Sequence, residues 1–304
     1  MACEIKENFD LSRLTTFKIG GMCEKLYLPQ TIDEFVDVLK QVKNPFVIAG
    51  GSNLLISSNG VKKPVISTSK LRKLTIEGNI IKAECGVFGG VLAKSVAEYG
   101  LSGFEFLIAF PGTVGGNLYM NASAHGQFMS DCLVSVLVFD NEQKKVVTMQ
   151  KSEMEFAYKK SIFQTGRYIL LEAEFELISS TPEIVRERME KNLNSRKLSQ
   201  PSMANPNAGC VFKNPENDSA GRLLDVVGMK GFECERVKVW DTHANFIVNK
   251  GGATSIDVLE LMLNMYNKVK EEYNIELKPE VIFVGEPNAR EEEICKILYQ
   301  KTLK

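Results

Sequence analysis

Cys210 lies in Asn207-Ala208-Gly209-Cys210-Val211-Phe212-Lys213-Asn214-Pro215, a thiol between a glycine and a nearby lysine. A thiol so placed can be a reactive group. Read alone, a single cysteine is more often apolar filler. Glu280, in Leu277-Lys278-Pro279-Glu280-Val281, reads by itself as a solvated carboxylate at a strand end. His243 reads as a hydrogen-bonded structural histidine, and Lys159 with Lys160, after Tyr158, as surface charge. Two glycine-rich turns say more. Gly50-Gly51-Ser52-Asn53-Leu54-Leu55 follows the apolar run Phe46–Ile48, and Pro111-Gly112-Thr113-Val114-Gly115-Gly116-Asn117 follows another, with Asn121 just beyond. Glycine lets a backbone turn sharply and come close to a ligand. Consecutive main-chain N–H groups can then cradle an anion such as a pyrophosphate. Two such turns in one chain point to a large phosphate-bearing cofactor.

The remaining composition narrows the classes. The chain has 304 residues and a net charge of −1, so charge gives no reason to expect nucleic acid or an anionic membrane as partner. No apolar run approaches the roughly 18 residues of a membrane helix, and the start lacks the pattern of a secretory signal. Seven dispersed cysteines, with no C-x-x-C pair, predict neither a zinc site nor a disulfide framework and fit a reducing cytoplasm. With two histidines, a histidine-based metal centre is not expected.

Several elements must position these residues. Thr31 followed by Glu34 predicts a capped helix over the spacing Ile32, Phe35, Val36, Leu39. Phe46–Ala49 and Pro64–Ser67 read as buried strands. Glu77-Gly78-Asn79 and Asp140–Lys145 read as hairpin turns between strands. Val91–Tyr99 reads as a helix stopped by Gly100, and Tyr168–Leu177 as a long strand with Leu170, Glu172, Glu174 and Glu176 on one face. A helix should begin near Thr181-Pro182, another should span Ile256–Tyr273, and a terminal helix should follow Gly285. Hairpins mixed with helices argue for α+β, and neither glycine turn has the G-x-G-x-x-G form that opens a dinucleotide-binding βαβ unit.

Taken in order, the motifs resemble the UDP-N-acetylenolpyruvoylglucosamine reductase family. The matching segments are Leu14-Thr15-Thr16-Phe17-Lys18-Ile19-Gly20-Gly21, Gly50–Leu55, Gly103-Phe104-Glu105 leading into Pro111–Gly116, and Asn121. They continue through Phe156-Ala157-Tyr158 with Ser161 and Phe163, Ala208-Gly209 with Phe212–Pro215, His243-Ala244-Asn245-Phe246, and Pro279-Glu280-Val281. Together they span residues 8–286.

The resemblance implies an α+β fold: a two-lobed FAD-binding domain of the vanillyl-alcohol-oxidase type plus a smaller substrate domain, in the shorter-loop branch of the family. The expected divisions are 1–68 and 69–192 for the two FAD lobes, 193–286 for the substrate domain and 287–304 for a terminal helix. It implies non-covalent FAD, NADPH as hydride donor, and reduction of an enolpyruvyl ether of UDP-N-acetylglucosamine in peptidoglycan synthesis. A repurposed FAD-binding protein, or a flavin oxidase, is the alternative on the same scaffold.

By the same resemblance Gly50, Gly51, Ser52, Asn53, Leu54, Pro111, Gly112, Thr113, Gly115, Gly116, Asn117 and Asn121 hold the cofactor. Cys210, Glu280 and Lys159 are catalytic. Tyr158, Lys213 and Asn214 contact substrate, with Arg196 or Lys197 meeting its diphosphate. The chain also departs from the family's pattern. Cys210 stands where the family has a serine proton donor, and a thiol, with a reference pKa of about 8.5, is the better acid. Lys159 replaces an arginine and loses its planar fork. Glu235-Arg236-Val237 replaces Gly-Gly-Ala, Trp240 a serine, and Ser123 a glycine.

Overall fold

In the computed structural model the strand Tyr168–Glu176 organises the largest sheet. It pairs antiparallel with Leu133–Asp140 on one side and Ile80–Glu84 on the other. Hairpins add Lys145–Gln150 and Leu74–Glu77, making five strands. The first hairpin closes through Gly78-Asn79, with Glu77 opposite Ile80 and Gly78 at φ +62°, a turn that favours glycine. Leu171, Ala173 and Phe175 are buried while Glu172 and Glu174 are half-buried, the alternation of a sheet with one core face. The expected single face from Leu170 to Glu176 is broken. A register shift between Leu137 and Val138 leaves Leu171 as the extra residue of a bulge, so Leu170 and Leu171 are buried in succession.

The structure describes residues 3–202 and 204–300. The chain forms two compact units. The first takes the chain up to Lys6, Leu26–Gly50 and Pro64–Arg196; the second takes Glu7–Lys25, Gly51–Lys63 and the chain from Lys197 onward. The proposed divisions at 68, 192 and 286 describe stretches along the sequence, whereas compactness groups segments far apart in it. Those divisions also include Met1, Ala2, Met203 and residues 301–304, which lie outside the described residues.

In the first unit, helix α1 (Ile32–Gln41) begins at Thr31, whose Oγ1 accepts from Glu34 N at 3.2 Å. Helix α2 (Gly89–Glu98) ends just before Gly100, at φ +66°. Helix α3 (Val114–Tyr119) follows the second glycine turn, and α4 starts at Pro182 and runs to Ser199. Short parallel pairs, Leu26 with Val65 and Phe46 with Val65, form a second small sheet. One buried cluster runs from Phe35 to Met189, and within it Phe104 and Phe175 pack edge to face at 5.0 Å, a geometry worth about 0.5–1.5 kcal/mol beyond area burial.

In the second unit, Asn207–Cys210, Phe246–Asn249, Val237–Val239 and Glu233–Cys234 make a four-stranded antiparallel sheet in that order. Helix α5 (Ala220–Val226), α6 (Ser255–Tyr273) and α7 (Ala289–Tyr299) pack with it. Helix α6 buries Val258, Leu259, Leu261, Met262, Met265, Tyr266 and Val269, a stripe at helical spacing. Asn288 and Glu291 form a reciprocal capping box at the start of α7. The strand Leu54–Ile56 pairs parallel with Ile282–Val284.

Candidate active site

In the first unit the strand Phe46–Ile48 delivers Gly50 against the second glycine turn. A Cβ on Gly50 would stand 3.3 Å from Thr113 N and 3.4 Å from Pro111 O. Among the described residues, the main-chain N–H groups of Gly50, Gly112 and Thr113 donate to nothing. The missing side chain therefore keeps open a space lined by unmatched donors. Val114 and Gly115 differ: their N–H groups go to Val87 O and Cys85 O, each at 2.8 Å. Gly115 instead permits close packing, since a Cβ there would lie 3.0 Å from Cys85 O. Asn117 is 4% exposed, and its Nδ2 has no partner among the described residues. A buried donor left unmatched costs about 1–3 kcal/mol. FAD presents phosphate and ring oxygens, the acceptors this set lacks, so the residues fit that group.

The same unit braces the Tyr158–Lys159 loop onto α3. Asn121, at φ +42°, donates from Nδ2 to Ala157 O at 3.2 Å and accepts from Ser130 N at Oδ1. Ser161 Oγ donates to Tyr119 O at 2.7 Å, and Gln164 Nε2 donates to Lys159 O at 3.0 Å. Tyr158 is exposed, and Lys159 Nζ lies 5.9 Å from the centre of its ring. Arg196 donates to the carbonyl of Ala109, the residue before Phe110-Pro111-Gly112, and burial lowers its pKa. One of its five donors thus anchors the glycine-rich segment. Lys197 is exposed and belongs to the second unit.

Glu105 is 3% exposed. Burial pushes its pKa up, but hydrogen bonds from Ser102 and Gly103 and the charge of Arg188 outweigh this and hold the carboxyl below its usual range. The motif Gly103-Phe104-Glu105 is therefore an internal clamp. Beside it a cavity of about 380 Å³ is lined by Glu105, His125, Gln127, Arg188, Lys191 and Asn192.

The second unit holds the remaining candidate residues. Among the described residues the N–H groups of Gly51, Ser52 and Asn53 donate to nothing. Gly51 sits at φ +61°, and a Cβ there would overlap the Leu14 carbonyl. Leu54 starts the strand that pairs with Ile282. Asn53 Nδ2 donates to Glu280 O at 3.0 Å, and Ile282 N donates to Asn53 O at 3.0 Å. Glu280 N donates to Val211 O at 2.8 Å, one residue from Cys210. Glu280 is thus tied by its main chain to the residue that follows Cys210. Cys210 is half-buried, after a bulge where Gly209 takes φ +75°. Lys213 N donates to Lys278 O, while Asn214 Oδ1 accepts from Ala220 N at the start of α5.

Two departures from the family's pattern, at Glu235 and Trp240, sit in defined backbone settings. Cys234 faces Val237 across a two-residue turn, and Glu235 adopts φ +46° there. The turn keeps a glycine-favouring backbone with a glutamate in place. Trp240 N donates to Phe246 O at 2.8 Å, so its backbone extends the ladder between Val237–Val239 and Phe246–Asn249. His243 accepts at Nδ1 from Asn245 N at 3.3 Å and packs 4.8 Å from the Phe246 ring; burial depresses its pKa. It is the hydrogen-bonded structural histidine expected. Asn245 was left without a role by the sequence, although an asparagine inside an apolar strand run signals a buried amide that must find partners.

Comparison with known proteins decides the lineage. Residues 24–149 match the model of an FAD binding domain, and residues 200–284 match that of the UDP-N-acetylenolpyruvoylglucosamine reductase C-terminal domain. The UDP-N-acetylenolpyruvoylglucosamine reductase of Bacillus licheniformis is 39% identical over 289 residues, covering 93% of this chain and 95% of that protein. The chain belongs to the UDP-N-acetylenolpyruvoylglucosamine reductase family. The reductase of Caldanaerobacter subterraneus subsp. tengcongensis is 38% identical over 283 residues, 92% of this chain and 93% of that protein. The crystal structure of a UDP-N-acetylenolpyruvylglucosamine reductase from Thermus caldophilus superposes with a TM-score of 0.80 at 32% identity, covering 93% of this chain and 99% of that one. The architecture is an α+β FAD-binding domain followed by the reductase family's C-terminal domain.

Proposed function

We infer that this chain is an FAD-containing oxidoreductase that uses NADPH to reduce UDP-N-acetylglucosamine enolpyruvate to UDP-N-acetylmuramate in peptidoglycan precursor synthesis. The observation that carries the reading is identity of 38–39% over nearly the full length of named reductases. When bound, FAD supplies the two-electron relay between NADPH and the enolpyruvyl double bond. The free N–H groups of Gly50, Gly112 and Thr113, with the unmatched Asn117 amide as a further donor, support a role in holding it; Gly51, Ser52 and Asn53 are proposed cofactor contacts on the family resemblance.

The substrate double bond gains hydride at its terminal carbon, and negative charge moves onto the carbon beside the carboxylate. We assign Cys210 as the group whose Sγ–H bond breaks to protonate that carbon; the thiolate then regains a proton from solvent. Lys159 stabilises the charge on the substrate carboxylate, and Glu280 holds the enolic form with it. Tyr158, Lys213, Asn214, Arg196 and Lys197 are proposed substrate contacts, the last two at the diphosphate. The proposed location is the cytoplasm, supported by seven free thiols.

Turnover is read as NADPH oxidation by purified, FAD-loaded protein with and without the enolpyruvyl substrate. Substrate-dependent oxidation is expected. Flavin that is reduced by NADPH and then reoxidised only by oxygen, with peroxide formed, overturns the reading. For the proton donor, Cys210→Ala should reduce turnover at least 100-fold while Cys210→Ser keeps measurable activity. Normal turnover by the alanine variant removes the thiol from the reaction.

A further inference from the structure

We propose that Asn245 is a positioning residue for this reaction: its side-chain amide acts as a surrogate peptide group that sets Cys210 and Glu280 in register. The backbone between these two residues explains why one is needed. Phe212 faces Pro279 in an antiparallel bridge, flanked by Lys213 N to Lys278 O and Glu280 N to Val211 O, each 2.8 Å. In that register the N–H and C=O of Phe212 point away from Pro279. Proline, which lacks an N–H, is tolerated there for the same reason. Phe212 is fully buried, so its peptide groups need partners on the other side.

On that other side the strand Asn207–Cys210 pairs with Phe246–Asn249, Cys210 standing opposite Phe246. Continuation of the ladder would place main chain from residues before Phe246 beside Phe212. Instead Phe246 N donates to His243 O and the chain turns away. Asn245 fills the gap. Its carbonyl accepts from Val211 N at 2.9 Å, its Oδ1 accepts from Phe212 N at 3.0 Å, and its Nδ2 donates to Phe212 O at 2.8 Å. With Glu280 N on Val211 O, every main-chain donor and acceptor of Val211 and Phe212 is matched. The side chain is 2% exposed, so water does not substitute.

Asparagine is the residue this geometry requires. Its amide sets an N–H donor beside a carbonyl acceptor at the spacing of a peptide group. Aspartate offers two acceptors and leaves Phe212 O facing a carboxylate. Leucine leaves two buried groups unmatched. The inference rests on the roles given above to Cys210 and Glu280, and its test separates the two.

The diagnostic variant is Asn245→Asp. A protonated carboxyl again pairs a donor with an acceptor, and burial raises its pKa. We expect kcat per bound FAD to be at least tenfold below wild type at pH 8, with KM for the UDP-sugar within twofold. The deficit should shrink as pH falls to 5.5, a recovery wild type does not show. In ligand-free variant at pH 8, iodoacetamide should alkylate Cys210 at least threefold faster than in wild type, with Cys234 unchanged. A variant-to-wild-type kcat ratio that is flat with pH, or an unchanged Cys210 alkylation rate, overturns the proposal. If the variant does not fold, hydrogen exchange in the wild-type protein decides: Phe212 N–H must exchange as slowly as Ile247 N–H, and exchange at the rate of an exposed loop overturns it. Normal turnover by Cys210→Ala would sink the proton-donor role and leave the alkylation and exchange results to judge the brace.

Discussion

Gly50 and Gly51 are adjacent and chemically identical, yet the same substitution should break different things. At Gly51 an added methyl would overlap the Leu14 carbonyl, with Leu14 C at 2.9 Å and Thr15 Cα at 3.0 Å, and the backbone sits at φ +61°. Overpacking costs about 1–3 kcal/mol and the left-handed backbone about 1–2 kcal/mol more. Gly51→Ala should therefore lower stability by about 2–5 kcal/mol, a Tm fall of roughly 5–15 °C for a chain of this size. At Gly50 the nearest atoms are 3.3–3.4 Å away, so Thr113 need give only tenths of an ångström. Gly50→Ala should leave the Tm of FAD-free protein within about 2 °C. The methyl would instead stand over the free Thr113 N–H. Losing one hydrogen bond to a charged phosphate is worth about 1.5–3 kcal/mol, which weakens FAD binding roughly 10- to 150-fold. The assay is thermal unfolding of FAD-free protein, paired with titration of FAD by flavin fluorescence. Equal Tm losses in both variants, or wild-type FAD affinity in Gly50→Ala, refutes the reasoning.

Three further outcomes are expected. Lys159→Arg should turn over at least as fast as wild type, whereas Lys159→Met should lose about 10- to 150-fold in kcat, the worth of one charge-assisted hydrogen bond; equal rates for all three remove Lys159 from the mechanism. Burial depresses the pKa of His243 in the folded chain below the unfolded value of about 6.5. Its contribution to stability is full above pH 6.5 and is lost as pH drops through the lower folded value, so between pH 7.5 and 5.5 the Tm of wild type should fall more than that of His243→Asn; parallel curves would refute the assignment. Glu235→Gly, which relieves a left-handed glutamate in the Cys234–Val237 turn, should stabilise the chain by about 0.5–1 kcal/mol, read as a higher denaturant midpoint at unchanged slope.

Local signals made much of this fold readable. Gly78, Gly100, Thr31 and the periodic run within Ser255–Tyr273 each mark an element whose cause lies within a few residues. The strand Glu4–Asp10 escaped because it is largely exposed, and Met22–Leu28 because the consecutive exposed residues Glu24 and Lys25 interrupt its alternation. Helix α3 escaped because two glycines in six residues read as a turn, and only the Thr113 cap and contacts from Val87 and Cys85 make it a helix. At the site, the ordered motifs named Cys210, Glu280 and both glycine turns. The bracing by Asn245, Asn53 and Asn121 was not legible, because each amide's partners are remote in sequence and depend on a register no short window contains.

The chain returns to each compact unit twice, and this fixes an order of events during biosynthesis. Phe17, Ile19 and Leu55 belong to a buried cluster whose other members begin at Ala208, and Leu54–Ile56 awaits Ile282–Val284 as its strand partner. At about 5–20 residues per second, these early apolar side chains emerge from the ribosome tens of seconds before the residues that will cover them. A fragment limited to residues 200–284, the segment matched by the C-terminal family model, would lack the same three side chains and would leave that part of the buried cluster uncovered.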